Sequence, residues 1–266
     1  MSFPLVSFII PYFNAGTTIQ ETIDSIFRQS YSNFDIWIID DGSTDLASIE
    51  KLKDFLSIDK IKILHQENQG PSSARNNAIT RSTADFFVFL DSDDLIEAET
   101  LIFAIENIKM NDVLFGDCLY FGGRNDVKKQ LLPTKEQILV GNPIAICALI
   151  RAETVKQILF DTHLDKLGLE DWELWINLFS KDFKFIYFEK ILFKIRVSEN
   201  SRTFKVANQK HSIIKKYIFN KHSEFLYNQY INVFEEKKEL STLIDFKIGK
   251  LVLYPYRMVK QIFKKK

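Results

Sequence analysis

Apolar and polar positions along the chain alternate between two periods. Short apolar runs, LVSFII, FDIWII, IKIL, DFFVFL and DVLFGD, have the length and composition of buried strands. Segments with a helical period separate the first four. In TTIQETIDSIFRQS, Ile19, Ile23, Ile26 and Phe27 share one helical face, with Thr17 or Thr18 placed to cap the start. STDLASIEKLKDFL places Leu46, Ile49, Leu52 and Phe55 similarly, and PSSARNNAITRS follows the third run. Strands alternating with helices predict an α/β fold: a mostly parallel central sheet, Rossmann-like, covered on both faces.

Past residue 120 the pattern changes. The polar loop GGRNDVKKQLLPTKEQ precedes an apolar stretch, PIAICALI. EDWELWINLFSK predicts a helix with Trp172, Trp175, Ile176 and Phe179 along one side. FKFIYFEKILFKIR predicts a strand pair or one long bent strand. From about Phe204 the chain is helical in pattern and basic. These changes divide it into residues 1–202, with halves 1–118 and 119–202, and an extension, 203–266.

Composition adds three limits. At 46% hydrophobic and 26% charged residues, with 24 phenylalanines, the chain can fill a large core. Its zero net charge conceals an asymmetry: residues 1–100 hold 16 acidic against 7 basic side chains, and residues 201–266 hold 15 basic against 5 acidic. An acidic front suits cation binding, and a basic end suits an anionic surface. Cys118 and Cys147 lack metal-type spacing and form no disulfide framework, as expected of a cytoplasmic protein. No apolar run approaches the ~20 residues of a membrane span, and the apolar start lacks the basic region of a signal peptide.

The acids collect where strands end. Asp40 and Asp41 follow IWII in IDDGSTD, and Asp91, Asp93 and Asp94 follow FVFL in FLDSDD. In open α/β sheets, ligands bind beyond the carboxyl ends of the strands. Residues two apart in an extended segment face the same way, so Asp91 and Asp93 can converge on one point. Hard divalent cations take such oxygen ligands, Mg²⁺ often with one or two carboxylates plus substrate phosphates. Asp94 reads as the cap of a helix beginning near Leu95. In IDDGSTD, Asp41 and Gly42 suit a turn, and Ser43 or Thr44 suits a cap. PYFNAG after the first strand is neither a dinucleotide-binding glycine motif nor a P-loop.

The order of these motifs is more specific than any one of them. Strand–PYFNAG–helix, strand–DDGSTD–helix, NQGPSSARNNAI and then FLDSDD resembles the family-2 glycosyltransferases of the GT-A fold, most strongly over residues 5–100 and in all over about 5–200. The resemblance implies a nucleotide-sugar donor, expected to be a UDP-sugar. Pro11, Tyr12 and Asn14 of the first loop and Asp41 would hold the nucleoside, Arg75 would lie near the nucleotide, and Asp91 would face the ribose. Asp93 would bind a divalent cation, Mn²⁺ or Mg²⁺, bridging the diphosphate.

Within EDWELW the resemblance makes Asp171 the catalytic base, with Glu170 and Trp172 on the acceptor side as residues that position the acceptor or wall the site. Read alone, Glu170 and Asp171 are acids favoured in a first helical turn. Many members carry R-x-H-x-x-S after this helix, its His completing the metal site; here RVSENS puts Ser198 at that position.

The expected activity is inverting transfer of a sugar to a hydroxyl of a glycan or lipid-linked acceptor in surface polysaccharide synthesis. The alternative is a non-catalytic nucleotide-sugar-binding protein with the same fold. A nucleotidyltransferase would want basic residues near a glycine-rich N-terminal loop, and residues 1–27 contain no Lys or Arg. The tail GKLVLYPYRMVKQIFKKK fits an interfacial helix at the inner face of a membrane, or a packed helix with a solvated face. A lipid-linked acceptor favours the first. No nucleic-acid-reading motif accompanies the basic charge.

Overall fold

The computed structural model describes residues 3–134, 137–138, 141–198 and 202–236. Strand β1 (Val6–Tyr12) leads through α1 (Ile19–Phe27) to β2 (Phe34–Asp41), and α2 (Leu46–Lys53) leads to β3 (Ile61–Gln66). Helix α3 (Pro71–Ile79) returns the chain to β4 (Phe86–Phe89). These four strands are parallel, in the order β3-β2-β1-β4. β1, β2 and β4 are apolar runs buried almost throughout, as a sheet covered by helices requires, whereas β3 at the edge of the sheet buries Ile61 and exposes Lys62 and His65.

The second half makes the sheet mixed. The two-residue β5 (Leu95–Ile96) precedes α4 (Thr100–Ile108), β6 (Val113–Gly122) and β7 (Val127–Lys128), then β8 (Leu149–Arg151) and α5 (Ala152–Lys156). A 3₁₀ turn (Thr162–Lys166) leads to α6 (Glu170–Ser180) and β9 (Phe185–Val197). β8 joins β4 and β6 antiparallel, while β6 and β9 run parallel. FKFIYFEKILFKIR is therefore one long strand, bent by a register shift opposite Gly116 and Asp117. Helices α7 (Arg202–Lys221) and α8 (Ser223–Glu236) extend the chain. Among the described residues no helix is long and apolar enough to cross a membrane; the basic tail from Gly249 lies outside them.

Local expectations fail where another group makes a better contact. Thr18 stands at the N-cap of α1, but its hydroxyl donates to the Ser92 carbonyl at 2.9 Å, tying α1 to the acidic loop. Asp45, not Ser43 or Thr44, caps α2 by accepting from Ser48 N at 2.8 Å. Leu46 is 77% exposed, so α2 buries a narrower face than its spacing predicts. Asp94 caps no helix. It is buried at the start of β5 and accepts from Arg196 N at 2.8 Å, because β5 pairs with β9 before α4 begins.

Two long-range carboxylates lock helices that flank the cleft. Asp165 in the 3₁₀ turn accepts from the backbone N–H of Ser72 and Ser73, at 2.5 and 3.1 Å, and so caps α3 from 92 and 93 residues away. Gly70 has φ +105°, and a Cβ there would meet the Asp165 Cβ at 2.5 Å. Glu173 in α6 is fully buried and faces His222 Nε2 at 2.7 Å and Lys221 Nζ at 2.8 Å, docking the α7–α8 junction onto α6. We expect Gly70→Ala to cost about 1–3 kcal/mol, read as a lower urea midpoint; an unchanged midpoint would show that the Asp165 cap yields freely.

Candidate active site

The carboxyl ends of the parallel β1, β2 and β4 lie on one edge of the sheet, and the DSD and ED segments are brought together there. The joint is Arg75. Its side chain, buried in α3, donates from one terminal nitrogen to Asp91 at 2.7 Å and from the other to Glu170 at 3.1 Å. The guanidinium lies over the Phe160 ring, 5.2 Å from its centroid. Burial opposes its charge, but the two carboxylates more than offset this and raise its pKa. Arg75 was expected beside the nucleotide; the structure uses both its arms to fix acids separated by 79 residues.

The acids respond differently to this setting. Asp91 keeps one oxygen outside the Arg75 contact and remains partly exposed. Asp93 is half-buried. Burial, then the charge of Asp91, pushes its pKa up to about 6, while its own backbone N–H and the charge of Arg196 favour its ionised form. Burial, then the charges of Asp91 and Asp93, hold the Asp94 carboxyl well above the usual carboxylate range. Arg196 steadies the loop, donating from Nε to the Asp93 carbonyl at 3.1 Å and from its terminal nitrogen to Glu21 at 2.8 Å. Ser198, at the position where a histidine was expected, is exposed just beyond β9. Among the described residues, no three His, Cys, Asp or Glu side chains are grouped to hold a metal. A carboxylate pair still suits a hard cation whose remaining ligands come from phosphate and water.

Asp171 opens α6 beside Glu170. Burial first, and the Glu170 charge second, raise its pKa to about 6. Asn142 donates to its Oδ2 at 2.6 Å. No signal in the sequence marked Asn142, since one asparagine in a loop carries no pattern.

The first two loops hold each other. Asn14, in a left-handed conformation at φ 49°, accepts from Thr44 N and Asp45 N at 2.8 and 2.9 Å. Asp41 accepts from Gln69 N, Gly70 N and Gln66 Nε2, each at 2.8 Å, and so shapes the loop into α3. Pro11 is partly exposed at the end of β1. Two expected contact residues turn inward. Tyr12 is fully buried, with its hydroxyl on the Ser48 carbonyl at 2.7 Å. Trp172 is 1% exposed, donates from Nε1 to the Ile138 carbonyl at 2.9 Å and packs edge-on against Phe219. Their side chains support the site from the core.

Removing Arg75 takes the shared guanidinium away from Asp91 and the nearly buried Glu170. We expect Arg75→Met to destabilise the protein by about 3–5 kcal/mol. Arg75→Lys should recover only part of this, because a single ammonium lacks the fork that reaches both acids. Equilibrium denaturation checks both, and a Lys variant as stable as the parent would refute the two-armed role.

Residues 7–159 match the family model described as Glycosyl transferase family 2. A glycosyltransferase of Rickettsia felis is 33% identical over 230 residues, covering 81% of this chain and 37% of that protein, so the chain spans about a third of the length of such relatives. WfgD of Escherichia coli, a UDP-Glc:α-D-GlcNAc-diphosphoundecaprenol β-1,3-glucosyltransferase, is 27% identical over 256 residues, 92% of this chain and 98% of that one. The fold is similar to that of S. aureus TarS residues 1–349 solved with UDP-GlcNAc, at a TM-score of 0.66 and 19% identity, over 94% of this chain and 70% of that one. The mixed sheet with its helical extension is thus the expected GT-A type, and the chain belongs to glycosyl transferase family 2.

Proposed function

We propose that this protein transfers a sugar from a UDP-sugar to a hydroxyl of a glycan or lipid-linked acceptor, with inversion at the anomeric carbon. The observation that carries the reading is the Arg75 bridge, which holds a donor-side acid, Asp91, and the acceptor-side ED pair at one cleft. The nucleotide-sugar donors and the lipid-linked acceptor named for TarS and WfgD support the substrate classes.

In this mechanism Asp171 takes the proton of the acceptor hydroxyl. The oxygen bonds to the anomeric carbon as the bond to the nucleoside diphosphate breaks on the opposite face, and the proton stays on Asp171. A half-buried carboxylate with a pKa near 6 is ionised at neutral pH yet basic enough to accept that proton. Glu170, held by Arg75, fixes the start of α6. Pro11, the Tyr12 backbone, Asn14 and Asp41 form the nucleoside end of the cleft, with Asp91 beside the ribose. Asp93 is the residue that would hold Mn²⁺ or Mg²⁺. Such an ion offsets the charge that builds on a departing diphosphate.

Asp171→Asn should lower the transfer rate by about 10²–10⁴-fold while leaving UDP binding intact by calorimetry; full activity would exclude Asp171 as the base. The base works only when ionised, so a raised pKa moves the loss of activity upward. The rate should fall as pH drops through about 6, and a limb near pH 4 in the pH–rate profile would contradict the burial of this group. Asp93→Ala should abolish stimulation of nucleoside diphosphate release by added Mn²⁺, measured with a panel of donors.

A further inference from the structure

Neutral donors hold both oxygens of Asp171. The Trp172 backbone N–H donates to Oδ1 at 2.8 Å, and the Asn142 amide donates to Oδ2 at 2.6 Å. An ionised carboxylate only accepts, so the amide must turn its nitrogen toward it. The Asn142 oxygen faces Ile144 N, two residues on, at 3.4 Å, the local contact that loop asparagines make. The nitrogen instead reaches a carboxylate 29 positions away. Two donors on two oxygens set the rotation of the carboxylate about its last torsion.

The segment that carries Asn142 is anchored to the helix that carries the base. Trp175 donates from Nε1 to the Ile144 carbonyl at 3.1 Å, and Trp172 donates from Nε1 to the Ile138 carbonyl at 2.9 Å. Both indoles are buried. On the other side Ala145 N donates to Gln130 Oε1 at 2.5 Å, and the buried Gln130 donates from its own N–H to Asp117 Oδ1 at 2.9 Å. Helix α6 thus fixes, through its indoles, the stretch whose amide meets the acid at its own first turn.

The charge of the partner matters as much as its position. Arg75 directs its terminal nitrogens to Asp91 and Glu170. A cation hydrogen-bonded to the base would favour the ionised form strongly and weaken its hold on a proton. A neutral amide orients the carboxylate with less loss of basicity. The charged groups acting on Asp171 are Glu170 on α6, which opposes its ionisation, and Lys128 on β7 and Arg75 on α3, which favour it.

We propose that Asn142 is a positioning residue, which holds the Asp171 carboxylate in the orientation that receives the proton of the acceptor hydroxyl. The inference rests on the glycosyltransferase reading above and on Asp171 as its base.

The test compares the parent with Asn142→Leu, which keeps the volume and removes the donor, and Asn142→Asp, which keeps the shape and adds a second carboxylate. At saturating donor and acceptor, kcat should fall about tenfold or more in both, with donor KM unchanged. Loss of a donor to the ionised form raises the pKa of the base, so the acid limb of the pH–rate profile should move upward by about one pH unit or more. A residue that only filled space would leave the limb where it is in Asn142→Leu. A limb unmoved in both variants, or a loss carried by KM alone, would overturn the proposal. Carboxyl ¹³C NMR of aspartate-labelled protein reads the same contact without turnover. The Asp171 signal, identified by its absence in Asp171→Asn, should titrate near 6 in the parent and higher in Asn142→Leu; equal titration would refute the Asn142 assignment by itself. A parent that transfers sugar from no donor would instead sink the transferase reading, and the role of Asn142 with it.

Discussion

The site depends on one buried guanidinium. Arg75 projects from α3, which follows β3, and reaches Asp91 after β4 and Glu170 at the head of α6. A buried cation is tolerable only if it is paired, and buried carboxylates likewise. The buried guanidinium therefore requires its two acids, and three segments distant in sequence meet at it. The Phe160 ring closes the underside of the guanidinium. Helix α3 cannot drift, because Asp165 caps it and the approach at Gly70 leaves no room for a side chain.

Around this joint the protein crowds negative charge and offsets it incompletely. Asp94 is satisfied by the backbone of β9, and Asp91 by Arg75. Asp93 and Asp171 are left with raised pKa values near 6, each caused first by burial and then by a neighbouring acid. Groups held partly desolvated and short of counter-charge bind cations and protons more strongly than they would in water.

The helical extension takes part in the same arrangement. Glu173 lies one turn from Glu170 on α6 and is buried against His222 and Lys221. Lys221 and the Tyr217 hydroxyl also hold Asp161, just before the 3₁₀ turn that carries Asp165. The caps of α3 and the position of α6 are thus braced from the C-terminal side, through contacts that span about 50 to 60 residues.

The sequence by itself determined the alternating strands and helices of the first half, because runs such as FDIWII and FFVF are buried on both sheet faces and must be continuously apolar. It also determined which acids end strands, and the ordered motifs sufficed to indicate the family. It could not rank the competing partners of a polar side chain. Asp94 had the form of a helix cap but meets β9, Thr18 leaves its own helix for Ser92, and Tyr12 and Trp172 turn into the core. Short strands such as β5 and β7 were equally illegible, since two residues carry no period and pair only when a distant strand is present. Only the tertiary structure decided that Arg75 is a joint, that Asp165 caps α3 and that Asn142 touches Asp171. Those contacts join residues 16 to 95 positions apart, and hydrogen-bond and ion-pair energies are set by distance in space rather than along the chain.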